Sequence, residues 1–261
     1  MRTVPIIVIG ALGRMGSTIT RLAREDRQLR LAALLECPER AAELRSIDAC
    51  LTGADLDAVL AAAKDGVVIE FSSPEASLRN AAIAARHSAP HVIGTTGLTD
   101  AHKAELEALA KTTPIFWAPN MSIGVNAVAK ILPVLAHLLG DKYDMEMLEI
   151  HHNRKKDAPS GTALRLAEAL AAARGWGHGE SLCYSRQGIT GERPHKEIGV
   201  QALRGGDVAG IHTVYFLGAG ERVELTHHAH SRDNFAKGAL RAAKWLVTQK
   251  PGRLYSMEDM L

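Results

Sequence analysis

Val4-Pro5-Ile6-Ile7-Val8-Ile9-Gly10-Ala11-Leu12-Gly13-Arg14-Met15-Gly16 is an unbroken apolar run that ends in a glycine-rich turn. Helical spacing begins directly after it, from Arg14 to about Arg24, so the stretch reads as strand, tight turn and helix. Within it, Gly13 lets backbone approach a pyrophosphate held on helical N–H groups, and Gly16 lets helix and strand pack closely. The strict G-x-G-x-x-G spacing falls on Ala11, Gly13 and Gly16, with Gly10 displaced by one. Glu36 follows Gly16 by twenty residues at the end of the next apolar run, where a carboxylate can accept hydrogen bonds from ribose hydroxyls.

The same alternation continues outward to about residue 120. Val4 to Ile9, Leu31 to Leu35, Val67 to Phe71, His91 to Ile93 and Ile115 to Trp117 read as buried strands. Arg14 to Arg24, Ala54 to Ala63, Glu75 to His87 and Asp100 to Thr112 read as the helices between them. This predicts a doubly wound, Rossmann-like parallel sheet of α/β class. Two turns sit at strand ends in that half, Gly94-Thr95-Thr96-Gly97 and Ala118-Pro119-Asn120-Met121, where an open α/β sheet collects its ligand. Both are placed for the nicotinamide end of a dinucleotide, though either can be a simple turn. Glu36 favours NADH by repelling a 2′-phosphate, while Arg40 is close enough to move and pair with one, so NADPH stays open.

After Pro119 the pattern changes. A helix from about Ile123 to Leu139, expected to kink at Pro133, leads into a strand ending over Tyr143 to Ile150, and another helix runs from Gly161 to about Arg174. Ser181 to Tyr184, Glu197 to Arg204, Gly210 to Leu217 and Arg222 to His228 then read as consecutive strands, which predicts an α+β unit with a mostly antiparallel mixed sheet. A closing amphipathic helix, Asn234 to Thr248, matches the first half in style. The expected division is therefore a dinucleotide-binding domain of 1–121 and 232–261, with an inserted substrate-binding and oligomerisation domain of 122–231.

The densest chemistry lies in Glu149-Ile-His151-His152-Asn-Arg154-Lys155-Lys156-Asp157-Ala-Pro159-Ser160-Gly161-Thr162. Ser160 or Gly161 can cap the helix that starts there. The N–H groups of Gly161 and Thr162, with the Thr162 hydroxyl, then form an anion pocket suited to a carboxylate. His152, Lys155 and Lys156 add positive charge, and a histidine near neutral pKa can exchange a proton. A solvated basic loop, a nucleic-acid patch and a paired-histidine metal site are the competing readings. Adjacent histidines lack chelating spacing, no aromatic residues interleave the bases, and Asp157 interrupts the run, so neither metal nor nucleic acid is expected. The histidines of Thr226-His227-His228-Ala229-His230 are read as strand-end residues rather than ligands.

With 46% hydrophobic residues and a formal charge of +2 over 261 residues, the chain can bury one large core or two modest ones and carries no chain-wide field. Cys37, Cys50 and Cys183 are scattered and odd in number, which suits a reducing, cytoplasmic setting. The first apolar run is too short for a membrane helix and flows into the glycine turn without a cleavage site. No other segment suggests a span, so no membrane partner is expected.

Taken together, V-I-G-A-L-G-R-M-G at 8–16, G-T-T-G at 94–97, A-P-N-M-S-I-G-V-N at 118–126, E-I-H-H-N-R-K-K-D-A-P-S-G-T-A-L at 149–164 and T-G-E-R at 190–193 closely resemble the dihydrodipicolinate reductase family. The resemblance spans nearly the whole chain, and E-x-H-H followed by K-x-D-A-P-S-G-T is its most specific part. It implies NADH- or NADPH-dependent reduction of 4-hydroxy-tetrahydrodipicolinate, a cyclic dicarboxylate, to tetrahydrodipicolinate in diaminopimelate and lysine biosynthesis, by a homotetramer. By position, His151 is then the proton donor and acceptor and Lys155 a second proton donor, with His152, Gly161 and Thr162 on the substrate. Cofactor contacts fall on Gly10, Ala11, Leu12, Gly13, Arg14, Met15, Glu36, Gly94, Thr95, Thr96, Gly97, Ala118, Pro119, Asn120 and Met121. Some relatives place Arg directly after the acid where this chain has Cys37, which puts use of NADPH in doubt and favours NADH.

Overall fold

Short, fully apolar strands separated by capped helices can bury both faces only inside a parallel sheet, and the first half of the chain builds one. The structure is a computed structural model that describes residues 3–46, 50–177 and 181–261. In chain order it runs β1 (Val4–Ile9), α1 (Arg14–Glu25), β2 (Leu29–Leu35), β3 (Leu51–Gly53), α2 (Leu56–Ala62), β4 (Val67–Glu70), α3 (Pro74–Arg86), β5 (His91–Ile93), α4 (Asp100–Leu109) and β6 (Ile115–Trp117). Then follow α5 (Ile123–Leu139), β7 (Asp144–His151), α6 (Gly161–Ala173), β8 (Leu182–Cys183), β9 (Ile198–Arg204), β10 (Gly210–Gly218), β11 (Glu221–Ala229), α7 (Asp233–Leu246), β12 (Leu254–Tyr255) and α8 (Met257–Met260). Helix starts follow local chemistry: Asp55 caps α2 by accepting from Asp57 N, and Ser73 caps α3 ahead of Pro74.

The chain divides into two compact units, Met1–Ile123 with Arg232–Leu261, and Gly124–Ser231. The first holds a seven-stranded sheet in the order β12-β6-β5-β4-β1-β2-β3, every pairing parallel. Its two edge strands, β3 and β12, are not expected from the sequence, because two or three residues are too few to show a period. α7 returns to this unit and buries Ala236, Ala239, Leu240, Ala243 and Leu246 in the core shared with Ile6, Val8, Ile19 and Phe116. A Cβ on Gly238 would lie 1.7 Å from the Met121 carbonyl oxygen, so α7 rests directly on the loop after β6.

The second unit holds five strands in the order β11-β10-β7-β9-β8. β10 pairs antiparallel with β7 and β11, but β9 is parallel to both β7 and β8, so the expected mostly antiparallel arrangement is limited to one side of β7. The cause is α6: a helical crossover brings the chain back to run alongside β7 in the same direction. Met145, Met147, Val214, Phe216, Ile198 and Val200 pack beneath α5 and α6 on one face of the sheet.

Contrary to the expectation that no segment suggests a span, Ile123–Lys142, which is α5 plus a short 3-10 turn, is long and apolar enough, by length and composition alone, to cross a membrane. Asn126, Lys130, Pro133 and His137 interrupt the apolar run and conceal its length in the sequence. Val128, Leu132 and Ala136 bury it in the second unit's core, whereas Ile131, Val134 and Leu138 stay exposed.

Candidate active site

In the first unit, β1 lies inside the sheet beside the central strand β4, and strand order reverses between the two, the point where an open α/β sheet forms a ligand crevice. The turn after β1 starts at Gly10, whose φ is +68°. Gly13 caps α1 with no side-chain hydrogen bond, and no acidic residue stands in the first helical turn, so these N–H groups are available to an anion. A Cβ on Gly16 would lie 2.0 Å from the Gly10 carbonyl oxygen, which makes that approach possible for glycine alone. These features fit a dinucleotide pyrophosphate.

Glu36 follows β2 and is tied to that turn. Its Oε2 accepts from Leu12 N at 3.0 Å and its Oε1 from Cys37 N at 3.1 Å, so the carboxylate expected to receive ribose hydroxyls also braces the glycine loop. Arg40 is engaged elsewhere, donating to both Glu43 oxygens at 3.0 Å.

The loops Gly94–Gly97 and Ala118–Met121 follow β5 and β6 at the same end of the sheet. Thr95 is 2% exposed: its Oγ1 accepts from Ser72 N at 2.9 Å and Ser77 Oγ at 2.7 Å, and its carbonyl from Trp117 Nε1 at 3.0 Å. Thr96 and Gly97, by contrast, are exposed. The loop Phe71–Ser73 after β4 borders the crevice too. Sequence reasoning passed over it because it carries no glycine signature.

The second cluster belongs to the second unit. Along β7 alternate side chains share a face, and the buried set Met145, Met147, Glu149, His151 changes from apolar to ionisable at the strand's carboxyl end. Glu149 Oε2 lies 2.5 Å from His151 Nδ1, and its Oε1 accepts from Ser160 N at 3.0 Å. Arg204, opposite His151 on β9, donates to both Glu149 oxygens at 2.7 and 2.8 Å, and to the Asp157 carbonyl oxygen at 2.7 Å. His212, opposite Glu149 on β10, sits with Nε2 3.1 Å from Ser160 Oγ and its ring edge-on to His151 at 5.2 Å.

Burial opposes ionisation of Glu149, but Arg204, His151 and the Ser160 N–H outweigh it and hold the carboxyl below its ordinary range. Burial, together with the Lys155 and Arg204 cations, pushes His151 below its ordinary value against the pull of Glu149. Burial, then His151, pushes His212 down to about 4. An anionic Glu149 accepts a hydrogen bond from His151 Nδ1–H, which keeps the proton on Nδ1 and leaves Nε2 as the working nitrogen.

Of the other nominated residues, Lys155 pairs with Asp157 at 2.9 Å and His152 Nδ1 accepts from Arg154 N at 3.2 Å. Ser160, rather than Gly161, caps α6, accepting from Ala163 N at 3.1 Å. Gly161 and Thr162 form the first turn of α6, which holds no acid, and a Cβ on Gly161 would meet no protein atom within 4 Å. His151, His152, Lys155, Gly161 and Thr162 thus fall on one strand end, one loop and one helix start. Arg204 and His212 were missed because they come from other strands, whose register is not readable in sequence. Glu149 was readable, being two residues from His151 and so on the same strand face. Among the described residues no three His, Cys, Asp or Glu side chains converge as a metal-ligand set.

Comparison with known proteins gives a consistent answer across the chain. Residues 4–121 match the family model for the N-terminus of dihydrodipicolinate reductase, and residues 124–261 the model for its C-terminus. The chain is 64% identical over 98% of its length to a 4-hydroxy-tetrahydrodipicolinate reductase of Nitratidesulfovibrio vulgaris strain Miyazaki F, covering 98% of that protein. It is 50% identical to the protein of that name from Lawsonia intracellularis, again with 98% of each chain covered. A solved structure of dipicolinate-bound dihydrodipicolinate reductase from Paenisporosarcina sp. TG-14 shares the fold at a TM-score of 0.80 and 24% identity, covering 99% of this chain and 100% of that one.

Proposed function

The chain belongs to the dihydrodipicolinate reductase family, an oxidoreductase family with a Rossmann-type NAD(P)-binding half, and from that premise we propose that it reduces 4-hydroxy-tetrahydrodipicolinate to tetrahydrodipicolinate in diaminopimelate and lysine biosynthesis. The observation that carries the assignment of the chemistry to His151 is the Glu149 carboxylate, gripped by Arg204 and set against His151 Nδ1. That arrangement fixes one tautomer and aims Nε2 outward from the pair.

The ring's hydroxyl leaves as water to give a conjugated imine, and a bound reduced nicotinamide would supply the hydride that its electron-poor carbon then needs. His151 delivers the proton that the neighbouring carbon must take up, and Lys155 serves as a second proton donor once it leaves Asp157. The N–H groups of Gly161 and Thr162 at the α6 N-terminus, with His152, bind the substrate's carboxylates. The Paenisporosarcina relative carries dipicolinate, itself a dicarboxylate, which supports a doubly anionic ligand here.

In the first unit, the turn Gly10–Met15 holds the pyrophosphate, Glu36 the adenosine ribose, and the loops Gly94–Gly97 and Ala118–Met121 the nicotinamide end, Thr95 contributing through the shape of its loop. NADH is the preferred donor. Glu36 sits where a 2′-phosphate would be repelled, and Arg40, the residue able to receive one, is held by Glu43.

The enzyme works in the cytoplasm as a homotetramer assembled through the second unit. Leu203 and Leu217 lie exposed on the sheet face turned away from α5 and α6, and Ile131, Val134 and Leu138 are exposed on α5, apolar surface that a second copy would cover.

The test is oxidation of NADH and NADPH by the purified protein, with substrate generated in place by condensing pyruvate and aspartate semialdehyde. Loss of nicotinamide absorbance that depends on the condensation product, and is faster with NADH, is the expected result. Cofactor binding without oxidation would leave the fold and remove the substrate.

A further inference from the structure

Away from the catalytic cluster, the first unit buries a second set of ionisable groups that the reaction does not use. Glu70, the last residue of β4, and His91, the first of β5, are both 0% exposed, with His91 Nε2 2.8 Å from Glu70 Oε1. They are diagonal neighbours across parallel strands, since Glu70 stands opposite Ile93 in the register. The other carboxylate oxygen, Oε2, accepts from Ser72 Oγ and, at 3.0 Å, from Asn80 Nδ2 on α3. Among the described residues neither His91 nitrogen, nor Glu70 Oε1, has a hydrogen bond of good geometry, so the 2.8 Å approach is an ion-pair contact.

Burying a carboxylate beside an incompletely bonded imidazole is an expensive way to fill a core, because an apolar pair of similar volume would be as stable or more so. What the charge supplies is acceptor geometry. Ser72, held by Glu70, directs its own N–H onto Thr95 Oγ1 at 2.9 Å, and Ser77 Oγ reaches the same atom at 2.7 Å. One carboxylate therefore fixes the loop after β4 relative to the loop after β5. The first borders the crevice beside β1, and the second presents Thr96 and Gly97.

We propose that Glu70 is a positioning residue for dinucleotide binding, acting through Ser72 and Thr95 to set the spacing of the Phe71–Ser73 and Gly94–Gly97 loops. The role rests on the nicotinamide-dependent reading above. It requires no contact between Glu70 and the cofactor, only that two loops at adjacent strand ends be held in one arrangement before the ligand arrives.

The experiment is direct titration of NADH into wild-type protein, Glu70→Gln, Thr95→Val and Thr95→Ser, followed by energy transfer from tryptophan to the nicotinamide, with thermal melting and substrate KM measured alongside. Glu70→Gln and Thr95→Val should each weaken NADH binding about tenfold, or ~1.4 kcal/mol. Thr95→Ser, which keeps the hydroxyl, should bind as wild type, and the KM for the dicarboxylate should move less than about twofold in all three. If Glu70→Gln lowers the melting temperature yet binds NADH as wild type does, the network is core structure and the proposal fails. If Thr95→Ser is as weak as Thr95→Val, the hydroxyl is not the link and the proposal fails as well. Wild-type protein that binds neither NADH nor NADPH would overturn the functional reading itself, a result distinct from both.

Discussion

Arg204 closes on both carboxylate oxygens of Glu149, at 2.7 and 2.8 Å, from the strand beside the one that carries His151. The pair is partly buried, with Glu149 0% exposed, so its partners are not interchangeable with water. Arg204→Met should strand a buried carboxylate and cost about 3 kcal/mol of stability, read by urea unfolding. Glu149→Gln should lower kcat about 10- to 100-fold, as loss of a group that orients a working histidine does, while NADH affinity stays unchanged. The double variant should regain stability without regaining kcat. Recovery of both would mean that the pair only packs the sheet.

Gly210 faces the working edge of His151. A Cβ there would lie 3.1 Å from Nε2, the position a substrate atom must occupy to receive a proton. Gly210→Ala should therefore depress kcat by roughly a hundredfold with the NADH dissociation constant unaltered. Normal turnover in this variant would place the proton transfer at another residue.

His151 has a pKa below its ordinary 6.5, with burial as the first cause and Lys155 and Arg204 adding to it. A proton donor works only when charged, so rates fall as pH rises through its pKa. A dianionic substrate offsets the neighbouring cations and raises that pKa in the complex. The falling limb of kcat should therefore lie at higher pH than that of kcat/KM, which reports the free enzyme. Initial rates over a range of pH check this, and coincident limbs would rule out substrate-driven protonation.

His212 is neutral in the fold down to about pH 4, whereas an unfolded chain protonates it near 6.5. Between those values the unfolded state binds the extra proton, so stability falls as pH falls, by at most about 3 kcal/mol from this residue. His212→Gln should flatten the dependence across that window in urea unfolding at a series of pH values. A variant curve parallel to the wild type would assign the slope to other groups.

Most of the first unit is legible in the sequence because its strands are apolar on both faces and its helices carry their own caps: Val4 to Ile9 and His91 to Ile93 fall on the expected residues. Parallel return of β9 beside β7 is not legible, since a crossover through α6 and a hairpin leave the same alternation in the strand itself. The candidate site divides similarly. His151, Lys155, Gly161 and Thr162 lie within the single segment 151–162 and announce themselves, whereas Arg204, Gly210 and His212 reach the cluster through pairing of β7 with β9 and β10. Thr95 was nominated for its loop, but the burial that turns its hydroxyl inward depends on Ser72 and Ser77, which no local pattern connects to it.

The return of α7 to the first sheet also sets an order of assembly during synthesis. The ribosome makes Met1–Ile123, then all of Gly124–Ser231, and only afterwards the segment that contributes Ala236, Ala239, Ala243 and Leu246 to the first core. At roughly 5–20 residues per second, the nascent first unit waits on the order of ten seconds with the α7 side of its sheet uncovered. The second unit, continuous in the chain, is free to finish first. The first unit, though begun earlier, is completed last, and that interval is when the newborn chain is most exposed to chaperones and to aggregation.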